Sequence, residues 1–289
     1  MIYLLPAITV LSLVVVYPLL NALYVSFHQW DLSTGGKMFF IGWQNYRDTL
    51  RDRYFWLSLT TSLTFVGIVV PIEVLLGTLI AKLLNNDVKG QKYLRVALLL
   101  PMMITPIVVA MLWKVIYDSQ FGVLNWALSA IGISPQVWLG NPKLALISVA
   151  VLDIWQNTPF IVLLVLAGLQ AIPSEVYHAA QIDGADTWQT FRYVTFPFLR
   201  STLLIGLIFR VVEAFRVFDT IYVLTKGGPG RVTEVISIYT YKTGFSLFKL
   251  GLSASQSFIL LILTFVVTIP LMVSMLKSFG FQGRASHDA

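Results

Sequence analysis

The sequence predicts an all-α, polytopic membrane protein with six transmembrane helices and a polar two-helix loop between the fourth and the fifth. Three observations predict it. Hydrophobic residues make up 57% of the 289 positions and charged residues 12%, against about 25% charged in a soluble domain. Mean hydropathy is +0.77. Six apolar runs are long enough to cross a hydrocarbon core, which takes about 20 residues. Residues 1–289 read as one transmembrane domain, with the polar loop at about 173–197.

The runs lie near Ile2–Phe27, Trp56–Leu84, Leu94–Ile116, Leu144–Leu169, Leu199–Thr225 and Ala254–Leu276. The first lacks the basic lead and the small-residue cleavage site of a signal peptide and runs too long for one, so it reads as a retained span. A short cytoplasmic lead is expected before it. Between the runs, Gln29–Phe55 is long, with Gly35-Gly36 and mixed charge. Asn85–Tyr93 is short and basic, and Tyr117–Lys143 is irregular and rich in Gly, Pro and Trp. Lys226–Ser253 opens on Gly227-Gly228-Pro229-Gly230, which is turn chemistry. Pro71, Pro101, Pro106 and Pro270 are expected to kink or end helices.

Net charge is +6. On a membrane protein that points to anionic lipid headgroups, and no basic run interleaved with aromatics supports nucleic-acid binding. Whole-loop counts of Lys and Arg do not orient the chain. The tight cluster Lys82, Lys89, Lys92 and Arg95 places its short loop on the cytoplasmic side, which puts both termini there too. Cysteine is absent, which removes disulfides, thiolate metal sites and cysteine nucleophiles. His28, His178 and His287 lie far apart in sequence and do not suggest a metal site.

The polar loop, Ile172–Pro197, reads as a docking surface. Pro173 and Ser174 signal a helix start with Ser174 as N-cap. Glu175 suits the positive end of the helix dipole. Val176, Ala179, Ala180 and Ile182 give one compact apolar face, and Gly184 stops the helix. Asp186 or Thr187 then caps a second short helix that runs to Pro197 and the next span. On these residues alone the segment is equally an amphipathic helix lying on the bilayer.

Polar groups also sit at membrane depth, where a charge costs at least roughly 2.5–3.5 kcal/mol on insertion scales. The fifth run carries Arg210, Glu213, Arg216 and Asp219 at spacings of three, on one slowly drifting helix face. The fourth carries Asp153, Gln156 and Asn157 with Trp155 and Phe160. Counted from the ends nearest the polar loop, Asp153 and Glu213 lie at similar depth. Such groups form a translocation site of acids and amides for hydroxyls and aromatics for a sugar face, or they seal helix to helix or to a partner. Arg216 and Asp219 approach the outer face as a candidate gate. Glu73, a lone acid in the second run, reads as a satisfied packing group, and Ser253, Ser255, Gln256 and Ser257 as helix-to-helix hydrogen-bonding groups.

Three motifs in order carry a resemblance. His178-Ala179-Ala180, then Gly184, then Val194-Thr195-Phe196-Pro197 resembles the E-A-A, Gly, I-x-L-P pattern in the cytoplasmic loop of permease subunits of type I ABC importers. His178 stands where Glu is usual. Phe218-Asp219-Thr220-Ile221-Tyr222-Val223-Leu224-Thr225 with Gly227-Gly228-Pro229, Thr233 and Glu234 resembles the carbohydrate, maltose-like branch, as does Ile41-Gly42 with Asn45-Tyr46. The likeness covers nearly the whole chain.

The resemblance implies a cytoplasmic coupling helix between spans 4 and 5. Glu175, His178, Ala179, Ala180, Asp183 and Gly184 would face an ATPase groove. It implies a substrate path along Asp153, Asn157, Phe160, Arg210, Glu213 and Val217. It also implies a second homologous permease, two ATPase subunits and an extracytoplasmic solute-binding protein as partners in the inner membrane. The chain has no G-x-x-x-x-G-K-[ST] phosphate cradle, so ATP and magnesium belong to a partner chain and no cofactor is expected here. A sugar or oligosaccharide is the expected cargo. Arg210 and Arg216 leave open an anionic one such as glycerol 3-phosphate or a glycerophosphodiester. An ion-coupled secondary transporter is the remote alternative, and no nucleophile–base spacing suggests an enzyme.

Overall fold

The computed structural model describes residues 5–85 and 90–285, with the side chains of Thr34 and of residues 278–285 left aside. Lys89 and His287, and the side chain of Arg284, lie outside the described set. The described residues are mostly helical, and the chain divides into two compact units: residues 1–62 with 234–265, and residues 63–233 with 266–289.

In the first unit, α1 runs Leu5–Ser26. It contains a π turn at Ser12–Val16, just before Pro18, whose missing N–H interrupts the regular ladder. Strands β1 (His28–Trp30) and β2 (Met38–Phe40) form an antiparallel hairpin with Gln29 opposite Phe39. Helix α2 (Gln44–Arg51) follows. Buried Asn45 donates to the carbonyls of Ser26 and His28, both at 2.9 Å. Its amide thereby ties the hairpin to α2, and this is where the Asn45-Tyr46 motif acts. Helix α3 (Arg53–Leu84) begins in this unit and continues in the second.

The first unit's core holds Phe55, Leu59, Ile236 and Tyr239. Its polar seals are the Glu234–Lys242 ion pair and the Tyr239 hydroxyl bonded to Asp52. A Cβ at Gly251 would lie 2.0 Å from the His28 carbonyl oxygen, so only glycine admits that approach.

In the second unit, α4 (Gln91–Met103) and α5 (Pro106–Ile116) replace the single third span expected from Leu94–Ile116. They bend by 98° at Ile104-Thr105. Thr105 is extended, with ψ 142°, because Pro106 Cδ disfavours helical backbone in the residue before it. The Ile104 carbonyl freed at the break accepts from Gln156 Nε2 at 3.2 Å. Helix α6 (Val123–Ala130) occupies the next connection, and α7 (Ala145–Gln170) is the fourth span.

Then come α8 (Ser174–Ile182), α9 (Thr187–Thr190), a π turn at Phe191–Thr195 and α10 (Phe196–Phe215). The fifth expected span, Leu199–Thr225, therefore ends early: Phe218 leaves helical backbone at φ −135°, and α11 (Asp219–Leu224) starts anew. Helix α12 (Ile236–Tyr241) belongs to the first unit, and α13 (Leu250–Ala285) is shared like α3.

By length and apolar composition α1, α3, α7 and α13 to Lys277 are able to cross a membrane, with α4 and α5 as a bent pair. Helix α10 is set apart by three charged side chains, Arg200, Arg210 and Glu213. The second unit's core packs Ala81 and Leu84 of α3 against Ile161, Val165 and Leu169 of α7 and Leu199 of α10. Gly77 and Gly206 flank Ile161, and a Cβ at either would come within 2.5 and 3.0 Å of its side chain. Small residues let spanning helices approach this closely.

Candidate functional site: a docking helix and a buried ion hub

Helix α8 starts one residue earlier than expected. Pro173 occupies the N-cap and Ser174 is the first helical residue, with no side-chain cap. Proline serves there because its fixed φ and missing N–H cost nothing where N–H groups are free anyway. The far end follows expectation: Gly184 sits at φ +75°, the Ala185 N–H reaches back to the Ala180 carbonyl at 2.9 Å and that of Gly184 to Gln181 at 3.1 Å. This is a Schellman stop. Asp186 then caps α9 through a full capping box with Gln189, accepting from its N–H at 2.7 Å.

The expected single apolar face divides. Ala180 is buried and Val176 half-buried, whereas Ala179 is exposed and Ile182 is 86% exposed. The hundred-degree step per residue turns Ile182 away from Ala180. Glu175, His178, Asp183 and Gly184 are exposed alongside them, and so is Trp188 in α9. The inner side is fastened. Ile172 sits in the α3–α7–α10 core, the Tyr177 hydroxyl meets Thr195 Oγ1 at 3.3 Å, and Lys82 Nζ lies 4.9 Å over the Phe191 ring. Sequence reasoning named Ile182 as part of the apolar face but did not separate it from Ala180, and it did not name Trp188. Their signal is two large hydrophobes in a stretch otherwise polar enough for solvent.

At the other end of α7 and α10 a buried ion hub joins three helices. Arg210 is 2% exposed. Its Nε and Nη2 fork onto Glu73 of α3 at 2.6 and 2.9 Å. Nη2 also donates to Asp153 of α7 at 2.8 Å, and Nη1 to Glu213 at 2.8 Å. Paired, hydrogen-bonded geometry is what makes a charge tolerable away from water. Glu73 is fully buried, so its reading as a satisfied packing group agrees with its surroundings. The sequence did not reveal that its partner is Arg210. The equal-depth reasoning did bring Asp153 and Glu213 to one guanidinium.

The charge row is shorter than expected. Of its four members, Arg210 and Glu213 form an i,i+3 pair. Helix α10 stops at Phe215, so Arg216 falls on its C-cap and Asp219 opens the next helix; both are exposed. Around the hub, the Glu213 side chain is 59% exposed. Asn157 is half-buried and donates to the Asp153 carbonyl at 3.1 Å. Phe160 is half-buried and packs edge-on against Phe209 at 6.1 Å. Val217 is half-buried just past the end of α10. Arg210 and Asp153 are thus buried, Glu213 is the exposed carboxylate of the hub, and Asn157, Phe160 and Val217 are half-buried.

A family model described as "Binding-protein-dependent transport system inner membrane component" matches residues 73–279. The trehalose/maltose transport system permease protein MalF of Thermococcus litoralis is 38% identical over 278 residues, covering 96% of this chain and 92% of that protein. A probable ABC transporter permease protein of Sinorhizobium fredii is 40% identical over 267 residues, covering 92% and 86%. The sulfoquinovosyl glycerol transport system permease protein SmoG of Agrobacterium fabrum is 32% identical, covering 91% and 85%. Among solved structures, a bacterial ABC transporter involved in the import of the acidic polysaccharide alginate superposes with a TM-score of 0.82 at 22% identity. That match spans 95% of this chain and 94% of the other, and the likeness is one of fold. The helical architecture and the relatives agree: the chain belongs to the binding-protein-dependent transport system inner membrane components, and it is a membrane permease subunit rather than an enzyme.

Proposed function

We propose that this chain is one of two permease subunits of an ATP-driven importer that carries a sugar or oligosaccharide across the cytoplasmic membrane. It acts as a single permease domain with six crossings and cytoplasmic termini. The second permease is homologous, two ATPase subunits bind ATP and magnesium, and an extracytoplasmic solute-binding protein delivers the cargo. The observation that carries this reading is α8: a helix stopped at both ends, exposed on one side, and joined without slack to α7 and α10. A short rigid rod moves as a body when a partner pushes it, as a switching element requires.

Glu175, His178, Ala179, Ala180, Asp183 and Gly184 form the contact with the ATPase. Ala180 supports it from below and the exposed Ile182 adds apolar area. Asp153, Asn157, Phe160, Arg210, Glu213 and Val217 form the substrate path. Glu213 and Asn157 hydrogen-bond hydroxyls, Phe160 covers a sugar face, and Arg210 with Asp153 holds Glu213 in place. Arg210 donates to three carboxylates, which leaves little of it for an anionic solute. The likeness to MalF, a trehalose/maltose transport system permease, supports a sugar.

Purification from native membranes in mild detergent should bring down an ATPase and a second permease. Uptake of radiolabelled trehalose or maltose should stop when residues 174–190 are replaced by a flexible linker. Undiminished uptake after that replacement overturns the coupling role.

A further inference from the structure

We infer that the α5–α7 connection, centred on α6, lies in the headgroup layer of the phospholipid bilayer and anchors this end of the second unit to the membrane surface. The first support is composition. Residues 119–141 contain no Lys, Arg, Asp or Glu, although charged Asp118 and Lys143 flank them. A connection washed by water is ordinarily polar and charged.

The second support is where the apolar side chains point. Phe121 is 88% exposed, Trp126 74% and Ile131 72%, with Val123 and Val137 also exposed. Val123 and Trp126, one helical turn apart, share the outer face of α6. Facing water, this patch is an unfavourable surface. At the boundary of a bilayer it matches the aromatic and aliphatic groups that settle there.

The exposure is built in rather than a result of slack. Buried Asn125 acts as the connection's central post. Its Nδ2 donates to the carbonyls of Asp118, Ser119 and Gln136, at 3.3, 3.2 and 2.9 Å. Its Oδ1 accepts from the Gln136 N–H and from Trp138 Nε1, both at 3.0 Å. With Asn125 inward, the next residue, Trp126, is held outward.

The third support is continuity with the spanning helices. The outer face of α5 exposes Met111, Leu112 and Val115, and the chain passes from it directly into Phe121. At this end Trp113 lies 5.2 Å from Tyr117 and 5.5 Å from Trp155, and Tyr117 lies 5.8 Å from Trp138. Of these rings Trp155 is exposed, whereas Tyr117 is buried and its hydroxyl donates to the Ser148 carbonyl at 2.7 Å, so the cluster is packing that holds the connection against α7. The occupant is the lipid interface, because the exposed apolar face of α5 continues through Phe121 into the outer face of α6.

The chain has no cysteine, so Trp126→Cys provides a unique thiol in it. The assembled importer carrying this variant would be labelled with a nitrobenzoxadiazole fluorophore and placed in nanodiscs, with the wild-type importer labelled in parallel as background. Phospholipids brominated near the headgroup should quench the label more strongly than phospholipids brominated at mid-chain. Aqueous iodide should quench it least, and emission should be shifted to the blue of the same complex in detergent. Strong iodide quenching without bromolipid quenching overturns the inference by placing the label in water. Shielding from both quenchers overturns it by placing a protein chain there. Should Trp126→Cys fail to assemble, Phe121→Cys in the same face reads the same contrast.

Discussion

Arg210 of α10 grips Glu73 of α3 with two parallel bonds, 2.6 Å from Nε to Oε2 and 2.9 Å from Nη2 to Oε1. Both side chains are almost wholly removed from solvent. These residues stand far apart in sequence, yet the fork fixes the depth of α10 against α3, and Asp153 adds α7 to the same joint. Helices α7 and α10 are also the two that emerge at α8. The joint therefore ties together the two helices between which α8 is strung.

Removing the cation should be far more damaging than removing the whole set. Arg210→Met leaves Glu73 and Asp153 as buried unpaired acids, and breaking such a pair costs about 3–5 kcal/mol. The expected result is a sharply lower unfolding temperature of the purified complex. Arg210→Met combined with Glu73→Gln and Asp153→Asn should recover much of the loss. No recovery in the triple variant would mean that the guanidinium's shape, rather than charge compensation, matters.

At Gly184 backbone strain and side-chain bulk are separable. A Cβ there meets nothing within 4 Å, but φ is +75°. Asparagine adopts the left-handed region readily and valine does not. Gly184→Asn should keep ATP hydrolysis tied to uptake. Gly184→Val should distort the stop of α8 and lower uptake per ATP hydrolysed. Equal loss in both variants would mean that any side chain at this point of the ATPase contact is too bulky, and that backbone strain is not the cause.

Two glycines of α3 make a matched pair for testing helix approach. At Gly77 a Cβ would lie 2.5 Å from Ile161 Cγ2, whereas at Gly67 nothing lies within 4 Å. Gly77→Ala should destabilise by about 1–3 kcal/mol, the usual cost of overpacking. Gly67→Ala should be neutral or slightly stabilising, because alanine favours helix. Thermal unfolding of the two single variants checks the contrast.

The turn that launches the α6 connection should depend on pH with a definite sign. Asp118 accepts from the Phe121 N–H at 2.8 Å and the Gln120 N–H at 2.9 Å, and these bonds hold its carboxyl below the ordinary value of 3.8. A carboxyl lowered by folding supports the turn at every pH above its unfolded value, and that support fades as pH falls through the lower folded one. A spin label at position 126 should keep its mobility from neutral pH down to about the ordinary carboxylate range. It should loosen only below that range, whereas Asp118→Ala should loosen it throughout.

The docking loop was legible in sequence because its signals are local. Gly184 as a stop and Asp186 as one of two candidate caps are read from the residues themselves, since caps and left-handed stops form within one turn, whereas the answering bond from Gln189 came from the structure. The end of α10 at Phe215 was not legible. No proline or glycine stands in Phe215-Arg216-Val217-Phe218, and the even spacing of charges suggested one continuous face. The bend at Thr105 lies between these cases: Pro106 announces a break, but only the structure shows its size and that Gln156 satisfies the loose carbonyl.

By itself the sequence determined that this is a helical membrane protein, that four of its apolar runs form long helices, and where the polar loop begins a short helix and stops it. Those follow from apolar run length and local capping, properties of neighbours along the chain. Only the tertiary structure decided which acids share Arg210, which side of α8 stays outward, and where spans break. Each of these depends on groups brought together from distant positions, where burying a charge without a partner is too costly to leave unmet.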